Sequence, residues 1–190
     1  MIPASPSAKA LLNASLFFGP LIYLLLDSMY TALGWHDPIA ANVGLVAAMA
    51  YGVTVIRVIS LAKGGWQTGL ILIGVIGIVG LSANALNSLH VGLGAADLYP
   101  TGDPLTILFK AEGFFFPLTW IIAAIALGKQ VPVWNRVLLA VGGLAFPVAH
   151  VANIGWLAIT DAVIMVLALG GVYIAIRDKG PAAGSEPATE

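Results

Sequence analysis

Six stretches of about 20 apolar residues, each long enough to cross a hydrocarbon core of roughly 30 Å as a helix, follow one another almost without interruption. They run from Leu11 to Leu33, Ile39 to Ala62, Thr68 to Ala95, Leu105 to Leu127, Val133 to Ile154 and Leu157 to Arg177. The segments between them are short and rich in turn formers: Gly34, Asp37 and Pro38; Gly64 and Gly65; Pro100, Gly102 and Pro104; Gly128 and Pro132; Asn153 and Gly155. Within 190 residues this leaves no room for a soluble domain. The reading is therefore an all-α fold, a polytopic transmembrane helical bundle of six spans. Residues 1–178 form a single transmembrane domain, and Lys179 to Glu190, rich in Pro, Ala and Gly, a disordered tail. The first span reads as a retained signal-anchor helix rather than a removable signal peptide.

Composition agrees, with 59% hydrophobic and 9% charged residues, against about 25% charged in soluble domains. The lipid bilayer is the obvious partner. A net charge of −1 without any basic run argues against nucleic acid. With no cysteine, disulfides, thiolate metal sites, cysteine-held iron–sulfur clusters and covalently attached haem are excluded. A metal would need histidine and carboxylate.

The basic residues orient the chain, because Lys and Arg beside membrane spans mark the cytoplasmic side. Lys9 precedes span one, Arg57 and Lys63 flank the second connection, Lys129 and Arg136 the fourth, and Arg177 and Lys179 follow span six. The first, third and fifth connections carry His36, Asp37, Asp97 and Asp103 but neither Lys nor Arg. Both termini are thus expected in the cytoplasm of a multi-pass cell-membrane protein, a bacterial inner-membrane protein by this pattern.

Polar residues within the spans collect toward the opposite side. Asp27 falls near the outer end of span one and Asn42 near the outer start of span two; Asn84, Asn87, Ser88 and His90 lie in the outer half of span three. Glu112 follows the outer start of span four, His150 and Asn153 close span five, and Asp161 comes early in span six. On the helical rise most sit within roughly 5–12 Å of the outer boundary. Ionisable groups at that depth cost a few kcal/mol each and tend to face the bundle interior or a wet cavity.

Several of these positions have simpler explanations. Lys110 snorkels toward the outer surface, and it lies about 200° around the helix from Glu112, so the two do not pair. Glu112, among Phe114, Phe115 and Phe116, needs another partner, a proton or a cation. Asp27 sits at the unfavourable end of its helix dipole, which suits a proton or cation site, and Tyr23 and Tyr30 on its general face would also satisfy it. Asp161, early in span six, reads as helping to cap that helix. In span three Gly77, Gly80, Asn84, Asn87 and Ser88 form a stripe for close helix packing, flanked by His90.

His90 and His150 are the membrane-embedded histidines, placed at similar depth on different spans. They are candidate ligands of a haem iron or of a zinc-type ion completed by Glu112 or Asp27, although no paired-histidine motif on one helix supports this. Phe17 to Leu21 in span one echoes Phe115 to Leu118 in span four, faintly suggesting inverted halves as in transporters. Three function classes follow. The first is a small proton- or cation-linked transporter with substrate or ion candidates Asp27, Asn84, Asn87, His90, Glu112, His150, Asn153 and Asp161. The second is a membrane enzyme or redox protein with metal or haem on His90 and His150. The third is a non-catalytic accessory subunit that assembles with itself or a membrane partner.

Overall fold

In the computed structural model the described residues are 5–99 and 104–177, side chains at 104–109, 111 and 112 excepted. The proposed tail from Lys179 to Glu190 lies outside them, as does the side chain of Glu112. Six α-helices carry the chain: α1 (Pro6–Leu33), α2 (Pro38–Leu61), α3 (Gly65–Gly92), α4 (Pro104–Ala126), α5 (Val133–Val151) and α6 (Gly155–Arg177). No strand occurs among the described residues. Five of these helices are long and apolar enough to cross a membrane, and Gly113–Ala126 adds a shorter apolar stretch in α4. The protein is a multi-pass membrane protein built as a helical bundle.

Local chemistry sets the ends. Ser5 accepts a hydrogen bond from the Ala8 amide and Pro6 opens α1, so this helix begins five residues before its hydropathic span. Asp37 Oδ1 accepts from the amides of Ile39 and Ala40, with Pro38 next in line. At the other end of the bundle Gln67 and Gln130 donate to the last carbonyls of α2, those of Ile59 and Leu61, and Arg136 Nε donates to Ala124 O of α4. Carbonyls left over by helix geometry are thereby satisfied.

Each helix packs on its neighbours in sequence, and α6 returns to α1, which closes the six into a ring. Short connections make neighbours antiparallel. One end of the ring, the basic end, therefore gathers Lys9, Arg57, Lys63, Lys129, Arg136 and Arg177; the other gathers the C-termini of α1, α3 and α5. The outward surface is aliphatic, with Leu72, Leu144 and Ile174 all exposed. The polar side chains of Ser15, Asp27, Thr54, Asn87, Thr119, Asn135 and Asp161 are buried. In lipid this is the arrangement that keeps polar groups paired inside. Thr54 donates to Ser15 O and Asn135 Nδ2 to Ala168 O, across helix pairs where Gly19 and Gly171 leave room.

Inside the ring an aromatic layer spans the middle. Tyr23, Tyr51, Phe116, Trp120 and Phe146 meet through edge-on, tilted and stacked contacts with centroids 5.1–6.2 Å apart. This layer closes the ring interior below the site.

Candidate functional site

Above the aromatic layer, at the end opposite the basic one, the ring opens into a cavity of about 490 Å³. Its walls come from α3, α4 and α5, with the α1–α2 connection folded against them: Asn84, Asn87, Ser88, Phe114 and Pro147 line it with Trp35 and His36. Pro117 has no amide hydrogen to return to the carbonyl of Gly113, and both residues line the cavity, so a backbone acceptor is freed there.

His150 forms part of the floor. Its ring lies on Phe146 with centroids 4.0 Å apart and meets Trp35 edge-on at 5.6 Å. Nδ1 is 2.9 Å from the Phe146 carbonyl, one turn back on α5. Nε2 is 3.2 Å from Asp27 Oδ1 and 3.2 Å from the Tyr23 hydroxyl, both on α1. Asp27 is fully buried, and its Oδ2 has no hydrogen-bond partner among the described residues.

These contacts determine a proton count. A carbonyl only accepts, so Nδ1 carries a hydrogen. An ionised Asp27 facing the bare lone pair of Nε2 would repel it, so the 3.2 Å contact requires a further proton on Nε2 or on Asp27. As a hydrogen-bonded contact, the pair holds one proton beyond those of a free carboxylate and a neutral imidazole. Tyr23 fits either placement, since its hydroxyl both donates and accepts. Loss of that proton would strand a buried carboxylate without a donor.

Asn87 lines the cavity and also ties down the chain beside it. Its Nδ2 donates to Asp97 Oδ1 at 2.9 Å and its Oδ1 accepts from the Leu98 amide at 3.1 Å, while the Tyr99 amide also donates to Asp97 Oδ1 at 2.9 Å. The α3–α4 connection is thereby tied down beside the cavity mouth. Partial burial pushes the Asp97 carboxyl up, but the hydrogen bonds from Asn87 and Tyr99, helped by the positive potential of His36 and Lys110, hold it below the usual carboxylate range. With the folded value below an unfolded reference of about 3.9, the tether is fully present above roughly pH 4 and fails as pH falls through the folded value. Asn87→Leu should remove about 1 kcal/mol per side-chain bond and speed hydrogen exchange at the Leu98 amide, with no change in wild type between neutral and mildly acid pH. Equal protection of that amide in both proteins would contradict this.

The other sequence candidates divide. Asn84 lines the cavity, half-buried. Asn153 is at its rim, exposed and at φ 53°, where the Ile154 amide bonds back to Ala149 O at 2.8 Å. It is the left-handed residue that ends α5, a role asparagine tolerates. Asp161 does not cap α6: the helix starts at Gly155, and Asp161 is buried one to two turns in, with its Oδ1 lacking a partner among the described residues. Asn42 bonds to the carbonyl of Pro38 in its own first turn.

His90 corrects the paired-histidine expectation. It is exposed and does not line the cavity, whereas His150 faces the ring interior. The buried face of α3, from Gly74 to Ser88, is centred roughly 140° from His90 on the helical wheel, because His90 flanks the edge of that stripe and not its middle. Among the described residues no group of three His, Asp or Glu side chains could hold a metal ion, and His90 does not line the cavity that His150 lines. Sequence reasoning passed over Trp35, Phe146, Tyr51 and Trp120; only the four-residue step from Phe146 to His150 hinted at the stacked pair. The chain matches no protein-family model, no curated protein and no solved structure.

Proposed function

We propose that this protein is a small proton-linked transporter, taking a small molecule or ion into the cavity from the extracytoplasmic side. The Asp27–His150 pair carries the coupling proton. The observation that supports this most is the placement of a pair that must hold a shared proton, 3.2 Å between its partners, beneath a cavity of about 490 Å³. A bound cargo at the floor would compete with or stabilise that proton, and this differential interaction is what couples two ligands. The basic end faces the cytoplasm by the positive-inside rule, so the cavity faces out and both termini lie inside, as in a bacterial inner membrane. Pro20, Pro117 and Pro147 lie within helices around the site and supply places where helices can bend.

The test uses the full chain in phosphatidylethanolamine–phosphatidylglycerol vesicles with a pH dye inside and an inside-negative potassium potential. Mixtures of amino acids, amines and short organic acids are supplied outside. Wild type should acidify the lumen with at least one mixture, and Asp27→Asn should not. Identical traces for the two proteins with every mixture would overturn the proposal.

A further inference from the structure

Below the Asp27–His150 pair the ring interior holds a second carboxyl group that the coupling proton does not account for. Asp161 on α6 is 2% exposed, and its Oδ1 has no hydrogen-bond partner among the described residues. It borders a narrow interstice, too tight for a water molecule, whose other walls include Tyr23, Tyr51, Phe116, Trp120 and Gly142. Trp120 Nε1, on the same interstice, also lacks a partner among the described residues. Capping, packing and pairing therefore leave Asp161 unexplained.

An ionised carboxylate without donors inside a lipid-embedded ring costs several kcal/mol, so this group is most stable with a proton bound. Tyr23 links it to the site above, since its ring borders the interstice and its hydroxyl touches His150 Nε2 at 3.2 Å. Tyr23 from α1 and Tyr51 from α2 border the same interstice as Asp161, and the charges it feels beyond them are those of Asp27 on α1 and His150 on α5. From α4 only the uncharged Phe116 and Trp120 are described there. On α5, Gly142 lets Asp161 and Met165 pack close: a Cβ there would stand 3.2 Å from Asp161 Oδ1 and 2.6 Å from Met165 Sδ, so alanine would crowd both.

We propose that Asp161 is a second proton-binding station, loaded from the Asp27–His150 pair through the Tyr23 hydroxyl. This rests on the proton-linked reading and extends it past the aromatic layer. The shared proton, resting on Asp27, passes through His150 Nε2 to the Tyr23 oxygen as the Tyr23 hydroxyl gives its own to Asp161 Oδ1. One proton moves inward, Tyr23 is unchanged, and the carboxylate of Asp161 becomes an acid. The step requires Asp161 to swing toward Tyr23 across the interstice that both border, with the flexible Met165 side chain giving way.

Infrared difference spectra after an alkaline-to-acid jump, recorded on the purified full chain in detergent without cargo, test this. Wild type should show two protonated-carboxyl carbonyl bands, one lost in Asp27→Asn and the other in Asp161→Asn, with Asp161→Ser as a second variant should the first not fold. In Asp27→Asn and in Gly142→Ala the Asp161 band should rise several-fold more slowly. A spectrum unchanged by both Asp161 variants, or an Asp161 band whose rate ignores Asp27→Asn and Gly142→Ala, overturns the inference while the Asp27 band keeps the coupling proton in place. If wild type also lacks the Asp27 band, the proton-linked reading falls with it.

Discussion

His150→Phe should lower the free energy of unfolding by about 3–5 kcal/mol if Asp27 stays ionised, and by about 1–3 kcal/mol if Asp27 takes up a proton. The phenylalanine can keep the stacking on Phe146, where the rings are 4.0 Å apart, but it offers nothing to Asp27 Oδ1 or to the Tyr23 hydroxyl. Asp27 then has no hydrogen-bond donor among the described residues in this structure. Asp27→Asn should behave quite differently, losing less than about 1 kcal/mol, because a side-chain amide can donate to Nε2 while Nδ1 keeps the Phe146 carbonyl. The double variant Asp27→Leu with His150→Phe removes both polar partners and should recover much of the loss, since replacing a buried pair by apolar groups is often close to neutral. Unfolding in mixed micelles of rising dodecyl sulfate fraction measures all four proteins. Equal losses for the two single variants would contradict the shared-proton geometry.

The bundle was legible because each span is a long apolar stretch and each connection carries turn formers. Where ends moved, capping had prevailed over hydropathy, as at Ser5 and Pro6. Within the site, Asp27 and His150 stood out because ionisable groups at depth are expensive, and that cost does bring them together. The aromatic layer was invisible for the opposite reason. In a membrane helix both the lipid face and the ring interior accept apolar side chains, so buried Phe116 and Trp120 carry no sequence mark that separates them from exposed Phe114 and Trp134. The echo between Phe17 to Leu21 and Phe115 to Leu118 is imperfect: the extra Gly19 turns the motif by about 100°, and Phe18 is half-buried where its counterpart Phe116 is buried. Partners distant in sequence, such as Asn87 and the 97–99 connection, emerge only from the way α3 hands the chain to α4.

Gly77→Ala should be far more damaging than Gly74→Ala, and Gly69→Ala in the same helix is its control. A Cβ at Gly77 would stand 2.7 Å from both the amide nitrogen and Cα of Phe116 and 2.9 Å from the carbonyl carbon of Phe115. These are backbone atoms of α4, so no side chain can rotate away and the two helices must separate. Overpacking of this kind costs about 1–3 kcal/mol, and a leucine should exceed that range. At Gly74 the nearest atom is the Val55 side-chain methyl Cγ1, at 2.7 Å, which can give way, so alanine there should cost less. Around Gly69 there is nothing within 4 Å, and alanine should be neutral or stabilising by up to about 1 kcal/mol through helix propensity. Because Phe116 carries contacts to Tyr23, Tyr51 and Phe146, pushing α4 outward also opens the aromatic layer beneath His150. Gly77→Ala should therefore lower the midpoint of unfolding and raise proton leak through reconstituted vesicles, while Gly69→Ala changes neither. A Gly77→Ala protein as stable and as proton-tight as Gly69→Ala would mean that α3 and α4 do not approach this closely in the membrane.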